Sequence, residues 1–253
     1  MATIPREALD YVTREINGVS AEAQAEVMRV LERIDWTDIT AAREIVVQAV
    51  QMALSTATTL AAQVSADFYD ASRTLSIGEP MGAVAISGYD PEKTDKAIRS
   101  FVRFVERGEF DTFNDQVLQR MDYETKRAAN NSIVENGARD PAKPKYARVP
   151  TGAETCDFCL MLASRGFVYR SESSAAVDHT HANCFCRAVA GWDGDEVQGY
   201  DPDAIYDRWQ GRITEIAEER AERKGTSVEE ERGRIMRGYG NAARSAKRRS
   251  RTA

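Results

Sequence analysis

Apolar residues recur at helical spacing through most of the first 140 positions. The short segment 7–16 precedes Ser20, whose side chain suits an N-cap, and Val27, Val30, Leu31 and Ile34 follow at helical spacing. Ser20 is therefore predicted to open a second helix. Thr37 or Asp38 can cap the next one, in which Ile39, Ile45, Val46, Ala49, Ala53, Leu60, Val64 and Phe68 mark a single apolar stripe with no Gly or Pro before Gly78 and Pro80. About 38 helical residues rising 1.5 Å each span about 57 Å, a length suited to a rod packed against other helices or subunits. Asp90-Pro91 places a capping side chain before an N1 proline and starts a helix carrying Ile98, Phe101, Val102 and Val105. A further helix is predicted over 111–135, closed by Asn136-Gly137.

The period changes at Asp140-Pro141-Ala142-Lys143-Pro144, where two prolines end the helical pattern. KYARV, GFVYR and CRAVAGW then read as short strands separated by turn residues, which gives a small β-rich unit. Helix returns at Asp201-Pro202, with Ile205, Trp209, Ile213 and Ile216 on one face. The predicted class is α+β, mainly α. It comprises a helical domain over 1–140, a small β-rich unit over 141–192, a C-terminal helical segment over 193–231 and a basic tail over 232–253.

Charge alters this picture only towards the C-terminus. The net charge of −6 argues against nonspecific nucleic-acid binding by the chain as a whole. From Asp193 to Glu231 acids outnumber bases thirteen to five, whereas 232–253 holds eight Arg or Lys and no acid. That stretch has little to bury and reads as a disordered tail, in which Arg244, Lys247, Arg248, Arg249 and Arg251 are the candidate phosphate contacts. No run approaches the eighteen or so apolar residues of a membrane span, so none is expected. The N-terminal MATIPREALDYVTREI carries charges where a signal peptide needs an apolar segment, which argues against secretion. A reducing cytosol disfavours stable disulfides.

Every cysteine and histidine lies within 155–189. The spacing is Cys156-x2-Cys159, then a gap, then His181-x2-Cys184-x-Cys186. Zinc takes four thiolate or imidazole ligands in a tetrahedron, and a C-x2-C turn with a distant second pair supplies them. A small β unit with little core of its own is what such an ion stabilises. Five candidates compete for four positions. Cys156 and Cys159 form one pair; the second is drawn from His181, Cys184 and Cys186, because alternation puts Cys184 and Cys186 on one strand face. His179, farther from the C-x-C, ranks below His181. Two disulfides, a catalytic Cys–His pair and a catalytic zinc are the competing readings. The last lacks an H-E-x-x-H helix and the deaminase pairing of H-x-E with P-C-x-x-C.

These residues resemble a known family. A helical N-terminal part, C-x2-C, the segment Arg165-Gly166-Phe167-Val168-Tyr169 and H-x-N-C-x-C resemble the phage Mu F-like minor head proteins, also called head morphogenesis proteins. The likeness is best over 128–210, and RVPTGAETCDFCLMLASRGFVY and GYDPDAIYDRW are similar to versions from phages of actinobacteria. Where that family has His-Pro-x-Cys-x-Cys, this chain has His181-Ala182-Asn183-Cys184-Phe185-Cys186. The resemblance implies a non-enzymatic, low-copy component of the virion, made in the host cytoplasm and lying inside the head near the portal. Its implied partners are the portal or major capsid protein and packaged DNA, and its implied cofactor is one structural zinc. The alternative is a virion-carried enzyme, either a nuclease or toxin effector or a capsid maturation protease. A fused effector has little room after residue 193, and a serine protease would need Ser164 or Ser171 to use a zinc ligand as its base.

Overall fold

The computed structural model describes residues 1–152, 154–171 and 186–249, with side chains described to residue 240. Four long helices come first: α1 Arg6–Leu31, α2 Ile39–Ile77, α3 Pro91–Val105 and α4 Phe110–Arg139. The short helix α5 Asp157–Ala163 and the helical hairpin α6 Pro202–Lys224 and α7 Val228–Arg249 complete the described helices. Strand β2 Lys145–Pro150 pairs antiparallel with β3 Cys186–Gly191, from Lys145 opposite Gly191 to Pro150 opposite Cys186. At the other end of the sequence, β1 Thr3–Ile4 pairs parallel with β4 Glu196–Val197. The fold is thus α+β and mainly helical.

The long apolar stripe forms the predicted helix. Asp38 caps α2 by accepting from the N–H groups of Thr40 and Ala41, each at 3.0 Å, and Gly78 ends it at φ +98°. By length and composition α2 is also apolar enough to cross a membrane, with a mean hydropathy of 1.4 over one window, half of which is buried inside the molecule. The predicted break at Ser20 does not occur. Ser20 lies inside α1, buried, and its hydroxyl donates to Asp122 of α4 at 3.0 Å, so a residue suited to capping serves as an interhelical contact. Nor does α4 stop at Asn136-Gly137; it continues to Arg139 and ends where Pro141 follows.

The core forms two clusters. Val27 and Leu31 of α1, Val46, Val50 and Leu54 of α2, Ile98 and Val102 of α3 and Phe113, Val117 and Met121 of α4 make one. The second joins Leu9 and Ile16 of α1, Phe68 and Tyr69 of α2 and Ile133 of α4 to Val149 of β2, Val189 of β3, Leu160 of α5, Trp209 and Ile213 of α6 and Ile235 of α7. Packing is therefore continuous across residues 140 and 192. GFVYR contributes one bridge, Tyr146 with Tyr169, instead of a strand. The region 232–249, expected to be a disordered tail, continues α7. Ile235 is buried and Tyr239 meets Trp209 edge-on at 6.1 Å, which supplies the apolar anchorage that composition alone did not suggest.

Candidate metal centre

The C-x2-C turn becomes the first turn of α5. Cys156 is its N-cap, exposed, and its Sγ accepts from the N–H of Cys159 at 3.4 Å. Cys159, in the same turn, is 3% exposed and packs against Cys186, the first residue of β3, also 3% exposed. Two cysteines 27 positions apart thus meet because β3 pairs with β2, and β2 leads through residue 150 into the loop before α5. His179, His181 and Cys184 lie outside the described residues. Among the described residues no three His, Cys, Asp or Glu side chains are grouped to hold a metal. A site would therefore need a donor from the 172–185 segment.

The donor chemistry fits zinc as far as the described residues reach. Thiols are zinc donors, and Cys159 and Cys186 converge from two different elements.

Sequence reasoning did not identify the aromatic frame that holds α5. The hydroxyl of Tyr169 donates to Leu162 O at 2.7 Å, and that of Tyr200 donates to Ala163 O, so two phenols occupy carbonyls at the end of this short helix. Burial pushes the Tyr169 hydroxyl up to about 12 and raises that of Tyr200 further, so both stay protonated donors. Arg212 of α6 lies 3.5 Å from Asp157 in the first turn of α5. The pKa of the Tyr239 hydroxyl of α7 is raised by burial and by the nearby Asp157 carboxylate. Tyrosines spaced through a polar sequence carry no periodic signal that would have marked them. Ser164, considered above as a nucleophile, donates to Met161 O at 3.0 Å.

A cavity of about 320 Å³ touches Phe167, Trp192, Tyr200 and Gly191, at the opposite end of β3 from Cys186. Gly191 lies five residue steps along the strand from Cys186, about 17 Å at 3.3 Å each, so the cavity is no part of the cysteine cluster. Of the predicted phosphate contacts, Arg244, Lys247, Arg248 and Arg249 fall on the last turns of α7, and Arg251 lies outside the described residues.

Neither a curated protein nor a solved structure matches the chain. A sequence model of a protein family described as VG15 protein matches residues 3–211, more than four-fifths of the length, including both cysteine pairs and ending within α6 before the basic part of α7. The chain therefore belongs to the VG15 protein family, a family of viral gene proteins.

Proposed function

We propose that this protein is a bacteriophage minor head protein, a non-enzymatic, low-copy virion component that acts at the portal during head assembly or genome delivery. Membership of a viral family over residues 3–211 carries the reading, and the resemblance of the cysteine region to Mu F-like head proteins narrows it. In this proposal Cys156, Cys159 and Cys186, with His181 or Cys184, hold one zinc ion. The ion serves as a staple: it ties α5 to the start of β3 and supplies folding free energy, with no position left open for substrate. The long helices supply contact surface for the portal or major capsid protein, and the basic end of α7 meets packaged DNA.

Two preparations test the two parts. Purified particles, analysed by mass spectrometry, should contain this protein at low copy relative to the major capsid protein. The recombinant chain, purified under reducing conditions, should carry about one equivalent of zinc, lost on replacing Cys159 with Ser. Absence from particles would overturn the virion role, and a metal-free chain of unchanged thermal stability would overturn the staple.

A further inference from the structure

Past the end of β3 the chain turns sharply. The Asp195 N–H donates to Trp192 O at 3.0 Å, and Gly194 takes the left-handed conformation of the turn, at φ +81°. The Asp195 carboxylate accepts the N–H of Trp192 on one oxygen and that of Ala2, just before β1, on the other, each at 2.8 Å. The residue is 7% exposed, and among the described residues no arginine or lysine forms an ion pair with it. Two neutral amides fill about half of a carboxylate's acceptor positions and cancel none of its charge. A buried anion held in this way is costly until a cation reaches it.

Asp195 borders the cavity of about 320 Å³ beyond β3, and the rest of the lining suits a cation. Phe167, Trp192 and Tyr200 contribute three aromatic rings, whose faces attract positive charge. Phe167 lies so close to Gly191 that a Cβ there would come within 2.5 Å of its ring. Tyr200 is fixed by its bond to Ala163 O, and Trp192 by its edge-on contact with Tyr69 at 5.6 Å. The walls are therefore in place before anything enters. Asp193 and Glu196 also line the cavity, both exposed, and Lys145 lies 3.8 Å from Asp193. Three acids against one lysine leave a net −2 around the opening. Among the described residues these acids do not group closely enough to hold a metal ion, so their charge surrounds a space that an organic cation fits better.

We propose that this cavity receives one arginine side chain from a partner protein. Its volume lies near the lower limit, about 300 Å³, of ligand pockets, enough for a single side chain and too little for a length of peptide. A guanidinium is flat, so it stacks on a ring face while its fork of N–H donors reaches carboxylates at the edge. It also sheds water more readily than an ammonium, which favours arginine over lysine here.

Nα-acetyl-L-arginine amide, a single capped residue, is the probe, and the three indole N–H signals of the isotope-labelled full chain are the readout. The Trp192 signal should shift along a saturable curve with a dissociation constant on the order of 1 mM, while that of Trp36, beside the other core cluster, stays in place. The citrulline analogue, similar in shape but uncharged, should bind about tenfold more weakly, and the lysine analogue about threefold. Asp195→Asn should weaken the arginine probe by about tenfold or more. Because Asp195 also holds the turn, Phe167→Leu gives a second measure. It keeps an apolar wall without the ring, and should weaken binding about threefold in a chain of unchanged circular dichroism. No saturable shift at Trp192 by about 10 mM overturns the proposal, as does equal binding of the citrulline analogue or an affinity that neither substitution alters. Tighter binding of putrescine or of the lysine analogue overturns it too, since the occupant would then be an amine other than arginine.

Discussion

Asp140 takes four hydrogen bonds on one buried carboxylate. Its residue is 0% exposed, and it accepts from the Tyr69 hydroxyl at 2.8 Å, from Arg73 Nε at 2.9 Å and Nη2 at 3.4 Å, and from the Ala142 N–H at 2.8 Å. Arg73 in turn donates to Glu79 O at 2.7 Å, so the cluster ties the ends of α2 and α4 to the chain leaving α2. Burial alone would raise the Asp140 pKa, but the hydrogen bonds from Arg73, Ala142 and Tyr69 outweigh it and hold the carboxyl below its usual range. A carboxylate with a depressed pKa stabilises the fold fully above its unfolded value, about 3.9, and loses that contribution as pH falls through the folded value. Asp140→Asn keeps the volume but strands a buried guanidinium, so we expect a loss of about 3–5 kcal/mol in urea unfolding at pH 7. The variant should also lose stability less steeply than the parent as pH drops below about 4. A cost under about 1 kcal/mol would show that Arg73 finds another partner. In the sequence Asp140 was visible only as the residue before a helix-ending proline. Its partners lie 71 and 67 positions away, so its electrostatic role could not be read locally.

At the scale of elements, the connection between α2 and α3 is an extended strap fastened by side chains. Asp70 accepts the N–H groups of Met81, Gly82 and Ala83 at 2.9, 3.1 and 2.8 Å. Further along, Asn136 accepts from Val84 N at 3.0 Å and donates to Val84 O at 2.8 Å, Asn131 donates to Ile86 O at 3.1 Å, and Arg127 donates to Gly88 O at 2.6 Å. These bonds give an irregular segment the backbone partners that a sheet would otherwise provide. Asn136→Ala should therefore cost about 1–3 kcal/mol and accelerate amide exchange at Val84, leaving Met81 and Ala83 protected by Asp70. Equal acceleration at all three would mean that the strap opens as one unit. The same residue explains one misreading: Asn136-Gly137 looks like a helix end, but Asn136 holds the strap, and a Cβ at Gly137 would lie 2.1 Å from the Tyr146 hydroxyl. Elements set by local signals, such as α2 between Asp38 and Gly78 or the proline-started helices α3 and α6, were legible at nearly the residue. Those set by tertiary contact, such as the uninterrupted α1 through Ser20 or the single bridge at Tyr169, were not. Of the cysteines, the described residues show Cys159 packed against Cys186, a contact made by the pairing of β2 with β3, and the tyrosines that fasten α5 left no signal in the sequence.

Across the whole molecule, charge is sorted along α7. Glu229, Glu230 and Glu231 occupy its first turn, and the cations lie towards its other end, an order that suits the helix macrodipole. Glu231 is fully buried and anchors the start: burial raises its pKa, but the hydrogen bonds from Lys224 and Thr226 prevail and keep it below its usual range. Among the described residues, the apolar contacts of α7 with the body come from Ile235 and Tyr239, before the densest basic stretch. This anchorage lies before residue 242, so a cut there leaves it in place. If the basic end meets packaged DNA as proposed, deleting residues 242–253 takes away Arg244, Lys247, Arg248, Arg249 and Arg251 together. Five lost phosphate contacts should change the slope of log affinity against log salt by about 4 to 5, and retention on double-stranded DNA at low salt should disappear. Thermal unfolding and metal content should stay as in the full chain, because the cut spares Ile235, Tyr239 and the cysteine turn. Phage carrying the truncation should assemble heads but lose infectivity. Should the shortened protein bind DNA with the same affinity and salt slope, the basic end is a solvated stretch and DNA contact drops out of the proposed role, leaving only the proposed attachment to portal or capsid.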